Sequence, residues 1–122
     1  MEREFVSYEQ AVALKELGFD EPCLASYETA FGDDIDFELG YIINGPKNYV
    51  LSPLKQQSFR WFRESYRLYS TIIFRVSMED NNEYWDWLIK GEEVVYRHFN
   101  TYEEAENACI DKLIELAKQQ DK

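Results

Sequence analysis

Three observations predict a single α+β domain, residues 1–122, in which antiparallel hairpins and a meander are packed by about three helices. Apolar residues alternate at period two over short runs that end in turn residues, the pattern of half-buried strands. Three other stretches place apolar residues at helical spacing behind a capping or start signal. The strand runs come in groups of three, giving the order α-β-β-β-α-β-β-β-α rather than the alternation of a parallel sheet. No linker or low-complexity segment divides the chain, and only Gln119 to Lys122 look loose.

The first helix is expected over Phe5 to Gly18. Ser7 and Gln10 have the spacing of a capping box, and Gly18 is a natural stop one residue past the helix. Its apolar stripe (Ala11, Leu14, Leu17) is narrow, which places it on the surface of the core. Asp20-Glu21-Pro22 is a turn. Cys23 to Tyr27 is the faintest of the strand signals. The loop Gly32-Asp33-Asp34 leads into Phe37, Leu39, Tyr41 and Ile43, whose alternation predicts a strand with one buried face. Asn44-Gly45 predicts a type I′ hairpin, and Pro46 confines the return strand, Lys47 to Leu51, to a sheet edge or a ragged start.

The stretch Ser52 to Tyr69 is the element around which the chain is expected to be organised. On a helical wheel Leu54, Ser58, Phe59, Trp61, Phe62, Ser65, Tyr66 and Tyr69 share one arc, and Arg60, Arg63 and Arg67 share the opposite one. Ser52 then serves as N-cap, with Pro53 at the first helical position. Beyond it, Ile72, Phe74, Val76 and Met78 alternate as the buried face of a strand, Asp80-Asn81-Asn82 turns, and Tyr84 to Ile89 forms the next strand. Lys90-Gly91 turns the chain into Val94 to Phe99, the third strand of a meander. Thr101 and Glu104 repeat the capping-box spacing and open a helix to about Lys118. Tyr102, Ala105, Cys109, Leu113 and Leu116 lie on its inner side, with Glu104, Asp111 and Glu115 opposite.

Composition bounds the function. With 45% hydrophobic and 16% aromatic residues in 122, the chain can build a core without metals or disulfides, so disorder is not expected. Cys23 and Cys109 are accordingly expected as small buried thiols in a reducing compartment. A net charge of −11 argues against attachment to an anionic membrane and against nucleic acid as a direct ligand. No apolar run is long enough to span a membrane, and the N-terminus is charged from residue 2, unlike a signal peptide. Cytoplasmic location is expected. The charge is uneven: residues 1–46 are −9, residues 47–78 are +5 and residues 79–122 are −7.

Chemistry is sparse in the sequence. The single histidine, His98, has no cysteine pair or glutamate at ligand spacing and is expected as a partly exposed strand residue. Asp34, Asp36 and Glu38 point to one side if extended, which with Asp33 makes an acidic loop suited to a hard cation or, more simply, a solvated face. No triad, distinctive carboxylate pair or phosphate-cradling glycine loop appears. No catalytic residue, metal or cofactor is expected, and the chain is not read as an enzyme. The remaining candidate is the ridge Lys55, Arg60, Arg63 and Arg67. It can be neutralised by carboxylates elsewhere in the chain, or it can hold a partner.

Three segments, FVSYEQAVALKELGFDEPC (5–23), QQSFRWFRESY (56–66) and TYEEAENACIDKLIELAK (101–118), resemble a group of small proteins with no assigned activity found in gut Bacteroidales and their phages. Together they span about 40% of the chain. The resemblance carries over no functional residues. It implies a bacterial cytoplasm, a phage or prophage gene, and action by noncatalytic binding to a host or phage protein. Homo-oligomers are compatible with it. The alternative is a nucleic-acid-associated role, by contact through the arginine ridge or by DNA mimicry through the acidic flanks.

Overall fold

A computed structural model of the protein describes residues 2–28, 35–42 and 49–121. Over these residues the fold is α+β, as expected. A short 3-10 turn (Glu2–Glu4) precedes α1 (Tyr8–Glu16), β1 (Cys23–Glu28), β2 (Ile35–Ile42) and β3 (Tyr49–Ser52). Then come α2 (Lys55–Tyr66), β4 (Ser70–Val76), β5 (Glu83–Ile89) and α3 (Tyr102–Gln120). The strands form two antiparallel sheets, β2-β1-β3 and β4-β5.

The ends of α1 follow from its sequence. Ser7 Oγ accepts from Gln10 N at 3.2 Å while Gln10 Oε1 accepts from Ser7 N at 2.9 Å, closing the expected capping box. At the other end Gly18 takes φ +100, and Phe19 N donates to Leu14 O while Gly18 N donates to Lys15 O. Those two bonds are the Schellman ending that a left-handed glycine permits. The helix begins three residues later than expected, because Phe5 bridges Leu54 and Val6 N donates to Pro53 O at 3.1 Å.

In the first sheet the faintest strand signal belongs to the central strand. Ala25 of β1 pairs with Phe37 of β2 on one side and Ser52 of β3 on the other. Strands β2 and β3 therefore flank β1 and do not form the hairpin expected between them; Asn44, Gly45 and Pro46 lie outside the described residues. The physical reason is that Cys23 and Ala25, both fully buried, belong to a strand that needs partners on both edges to satisfy its backbone. As expected, β3 is an edge strand. It runs through Ser52, so Ser52 is not the N-cap of α2: its Oγ donates to Val6 O at 3.2 Å. The cap position falls to Leu54, which offers no side-chain acceptor.

Helix α2 buries Ser58, Phe59, Trp61 and Phe62, but Ser65 and Tyr69, placed inward by the wheel, are exposed. Trp61 lies edge-on to Phe19, Phe62 and Tyr66 at 5.3 to 5.5 Å between ring centroids. The core joins these rings to Leu14 of α1, Tyr27 of β1, Val50 of β3, Trp87 and Ile89 of β5, and Cys109, Ile110, Leu113 and Ile114 of α3. Organisation is shared between two helices, since α3 packs on α1, α2, β4 and β5. Cys23 and Cys109 are free and buried, and burial pushes both thiols up to about 12. The tail expected to be loose is helical to Gln120, and Tyr66 Oη donates to Asp121 Oδ2 at 2.8 Å.

The meander stops at two strands. Trp85 and Phe99 exchange backbone hydrogen bonds as an isolated bridge, but Val94 to His98 is not a strand. The fully buried Asp86 carboxylate explains the break: it accepts from Arg97 N at 3.2 Å, so a side chain takes a donor that a ladder would use. The same carboxylate accepts from Arg75 Nε at 3.2 Å and Trp87 N at 2.7 Å, and the Arg97 guanidinium lies 3.6 Å over the Trp87 ring. The expected buried face of β4 is also corrected. Ile72 packs on the core, whereas Phe74, Val76 and Met78 are 51%, 52% and 98% exposed.

Candidate functional site

The ridge expected from Lys55, Arg60, Arg63 and Arg67 divides in the structure. Arg60 and Arg63 are exposed and three residues apart on α2, where helical geometry makes them neighbours. Arg67 is exposed too, but it ends the helix in the left-handed conformation at φ 55, accepting the position that glycine normally fills. Lys55 is not on the ridge. It is 3% exposed and faces Glu106 of α3, itself 6% exposed.

Two concavities adjoin the first turn of α2. On one side a groove of about 620 Å³ is lined by Glu21, Pro22, Leu24, Leu54, Gln57 and Arg60. Glu21 Oε1 accepts from Gln57 Nε2 at 3.2 Å and pairs with Arg60 Nη2 at 3.4 Å, while Gln57 also donates to Pro22 O at 2.9 Å. These bonds pin the turn before β1 against α2 and leave Leu24 and Leu54 as the apolar wall between them. Among the described residues no ion pair engages Arg63 or Arg67.

On the other side a pocket of about 360 Å³ opens between α2 and α3, lined by Arg3, Lys55, Gln56, Tyr102, Glu103 and Glu106 among others. Lys55 Nζ stands 3.9 Å from Glu106 Oε1, an ion pair without a direct hydrogen bond. Gln56 Nε2 donates to Glu106 Oε2 at 3.0 Å and to Tyr102 Oη at 3.3 Å. Burial lowers the Lys55 ammonium and raises the Glu106 carboxyl, in each case against the attraction of the other group. Such a pair can exchange a proton with a ligand. It is equally what a salt bridge becomes when a helix junction strips away its water. The long ion pair and the glutamine clamp on the carboxylate favour the structural role.

The sequence held one signal for this pair. Glu106 falls between Ala105 and Cys109 on the inner stripe of α3, and a carboxylate there needs a partner; that the partner is Lys55 depends on the packing of two distant helices. The acidic candidates divide as well. Asp33 and Asp34 lie outside the described residues, and Asp36 and Glu38 belong to β2, with Asp36 in register with Ser26. His98 is exposed and stacks on Tyr84 at 3.8 Å. Among the described residues no group of three metal-ligating side chains comes together, and no helix is long and apolar enough to cross a membrane. No family model, curated protein or solved structure matches this chain.

Proposed function

We propose that this chain is a small bacterial accessory protein of phage or mobile-element origin that acts in the cytoplasm by noncatalytic binding to another protein, through the outer face of α2. The carrying observation is that Arg60, Arg63 and Arg67 are exposed on α2 and at its end, with Arg60 lining a groove that has an apolar wall. Guanidinium groups next to a partly apolar groove suit an acidic segment of a partner, with the leucines taking apolar side chains and the arginines taking carboxylates. Arg67 adds weight: an arginine in a left-handed backbone costs about 1–2 kcal/mol relative to an ordinary conformation, a strain of the kind tolerated at binding positions. The origin rests on the resemblance of segments 5–23, 56–66 and 101–118.

Direct nucleic-acid contact is the competing reading. It is disfavoured because Trp61 is 6% exposed and the Tyr66 hydroxyl is committed to Leu17 O and Asp121, so neither ring is presented for stacking on bases. The test is affinity capture from bacterial lysate with the wild type and an Arg60→Glu/Arg63→Glu/Arg67→Glu variant of unchanged circular dichroism. Loss of a partner in the variant is expected, and retention of every partner rejects the reading.

A further inference from the structure

We infer that the pocket between α2 and α3 binds a small zwitterion of the free α-amino-acid class, its carboxylate held by Lys55 and Arg3 and its ammonium by Glu4, Glu103 and Glu106. The inference does not rest on the reading of the outer face of α2, because none of these residues belongs to the exposed arginines Arg60, Arg63 and Arg67. All five charged side chains line one pocket of about 360 Å³. Ligand sites run from about 300 to 1,000 Å³, so a space of this size admits a small molecule rather than a segment of folded protein.

Lys55 supplies the observation that points to a ligand. Its side chain is 4% exposed and lines the pocket, and its ammonium carries three donors. Glu106 Oε1 stands 3.9 Å away, beyond hydrogen-bond reach, and among the described residues no acceptor takes a hydrogen bond from Lys55 Nζ. A desolvated ammonium held this way is costly, and a ligand oxygen supplies the acceptor that the protein does not. The pair with Glu106 still joins the two helices. A ligand takes only the donors that this pair leaves over.

The charges around Lys55 select a zwitterion. Burial lowers the Lys55 ammonium, Glu106 and Glu103 pull it back up, and the neighbouring Arg3 lowers it further. Burial raises the Glu106 carboxyl, Lys55 and the Gln56 hydrogen bond oppose this, and Glu103 and Glu4 add to it. Like charges are therefore neighbours on both counts, and among the described residues Arg3, Glu4 and Glu103 enter no ion pair. A simple anion would meet three carboxylates, and a simple cation would leave Arg3 against Lys55. A ligand with one charge of each sign relieves both repulsions. In a free amino acid one carbon separates the two charges, which suits a pocket where Glu103 is close enough to act on both Lys55 and Glu106. Leu54 and the Tyr102 ring line the same space and offer apolar contact to the carbon skeleton.

Isothermal titration calorimetry with each of the twenty free L-amino acids tests the inference. Saturable one-to-one binding of at least one of them is expected. Its N-acetyl derivative, which lacks the ammonium, and its amide, which lacks the carboxylate, should each bind at least about tenfold more weakly. Arg3→Ala should weaken binding by a similar factor and leave thermal unfolding unchanged, since Arg3 is exposed. The Lys55→Met/Glu106→Leu variant, which keeps the helix junction by apolar contact, should not bind. Absence of saturable binding by all twenty overturns the inference. So does a complex indifferent to Arg3→Ala or to Lys55→Met/Glu106→Leu, or a derivative lacking either charge that binds as tightly as its parent.

Discussion

Lys55 and Glu106 meet 3.9 Å apart with side chains only 4% and 8% exposed, joining the first turn of α2 to α3. Desolvation outweighs attraction for both groups, so replacing the pair is better tolerated than breaking it. Glu106→Leu alone should destabilise the fold by about 1–3 kcal/mol, below the cost in a sealed core because Lys55 still borders a pocket. Adding Lys55→Met should recover most of that loss. Urea unfolding of the four-member cycle measures the coupling; a double variant no more stable than Glu106→Leu would contradict this account.

The same pair sets a pH dependence. The folded-state pKa of Glu106 is raised above its ordinary 4.5, so the native state holds its proton longer and stability falls as pH rises through that window. The folded-state pKa of Lys55 is lowered from 10.5, so the unfolded state binds the extra proton and stability rises as pH approaches 10.5. Relative to the Lys55→Met/Glu106→Leu variant, the wild type should therefore be least stable between the two windows. Unfolding free energies measured at acid, neutral and alkaline pH check the sign at each end.

Arg67→Gly separates stability from binding. Glycine accepts φ 55 without the clash of a Cβ, so the variant should gain about 0.5–1 kcal/mol even after allowing for its freer unfolded chain. If Arg67 contacts a partner, the more stable protein binds less well. Thermal unfolding and capture efficiency, measured on one preparation, give both signs.

Asp86→Asn should cost about 3 kcal/mol, since the fully buried carboxylate joins Arg75 and Arg97 to β5 and an amide brings donors against donors. Tryptophan fluorescence should report it first, because Arg97 stacks on Trp87.

Phe62→Ala should cost about 3–5 kcal/mol, as Phe62 is fully buried in the ring cluster of α2. A chemical denaturation midpoint close to wild type would sink the reading of that face as core.

What the sequence disclosed was mostly local. Ser7 with Gln10, Gly18, Thr101 and the inner arc of α2 are each read within a turn or two, because caps and periodicity act over that distance. Ser52 and Pro53 misled because their start signal is real but a longer-range demand overrides it: Val6 O accepts from Ser52 Oγ, Val6 N donates to Pro53 O, and β3 extends to meet β1. The Asn44-Gly45 signal could not disclose that β1 stands between β2 and β3. The alternation of Val94 to Phe99 suggested a strand, but Asp86 intercepts the backbone of Arg97. Of the candidate site, Arg60 and Arg63 were legible as an outer ridge. The inward Lys55 was not, since its partner lies fifty-one positions away, and neither was Arg67 as the helix terminus.

The central claim is that the outer face of α2 binds a protein, and the most direct measurement is capture from nuclease-treated bacterial lysate, with the wild type and the Arg60→Glu/Arg63→Glu/Arg67→Glu variant side by side. The account predicts a discrete protein partner that survives nuclease with the wild type and is lost with the folded variant. Material that disappears on nuclease treatment, or a partner held equally by both, would contradict it.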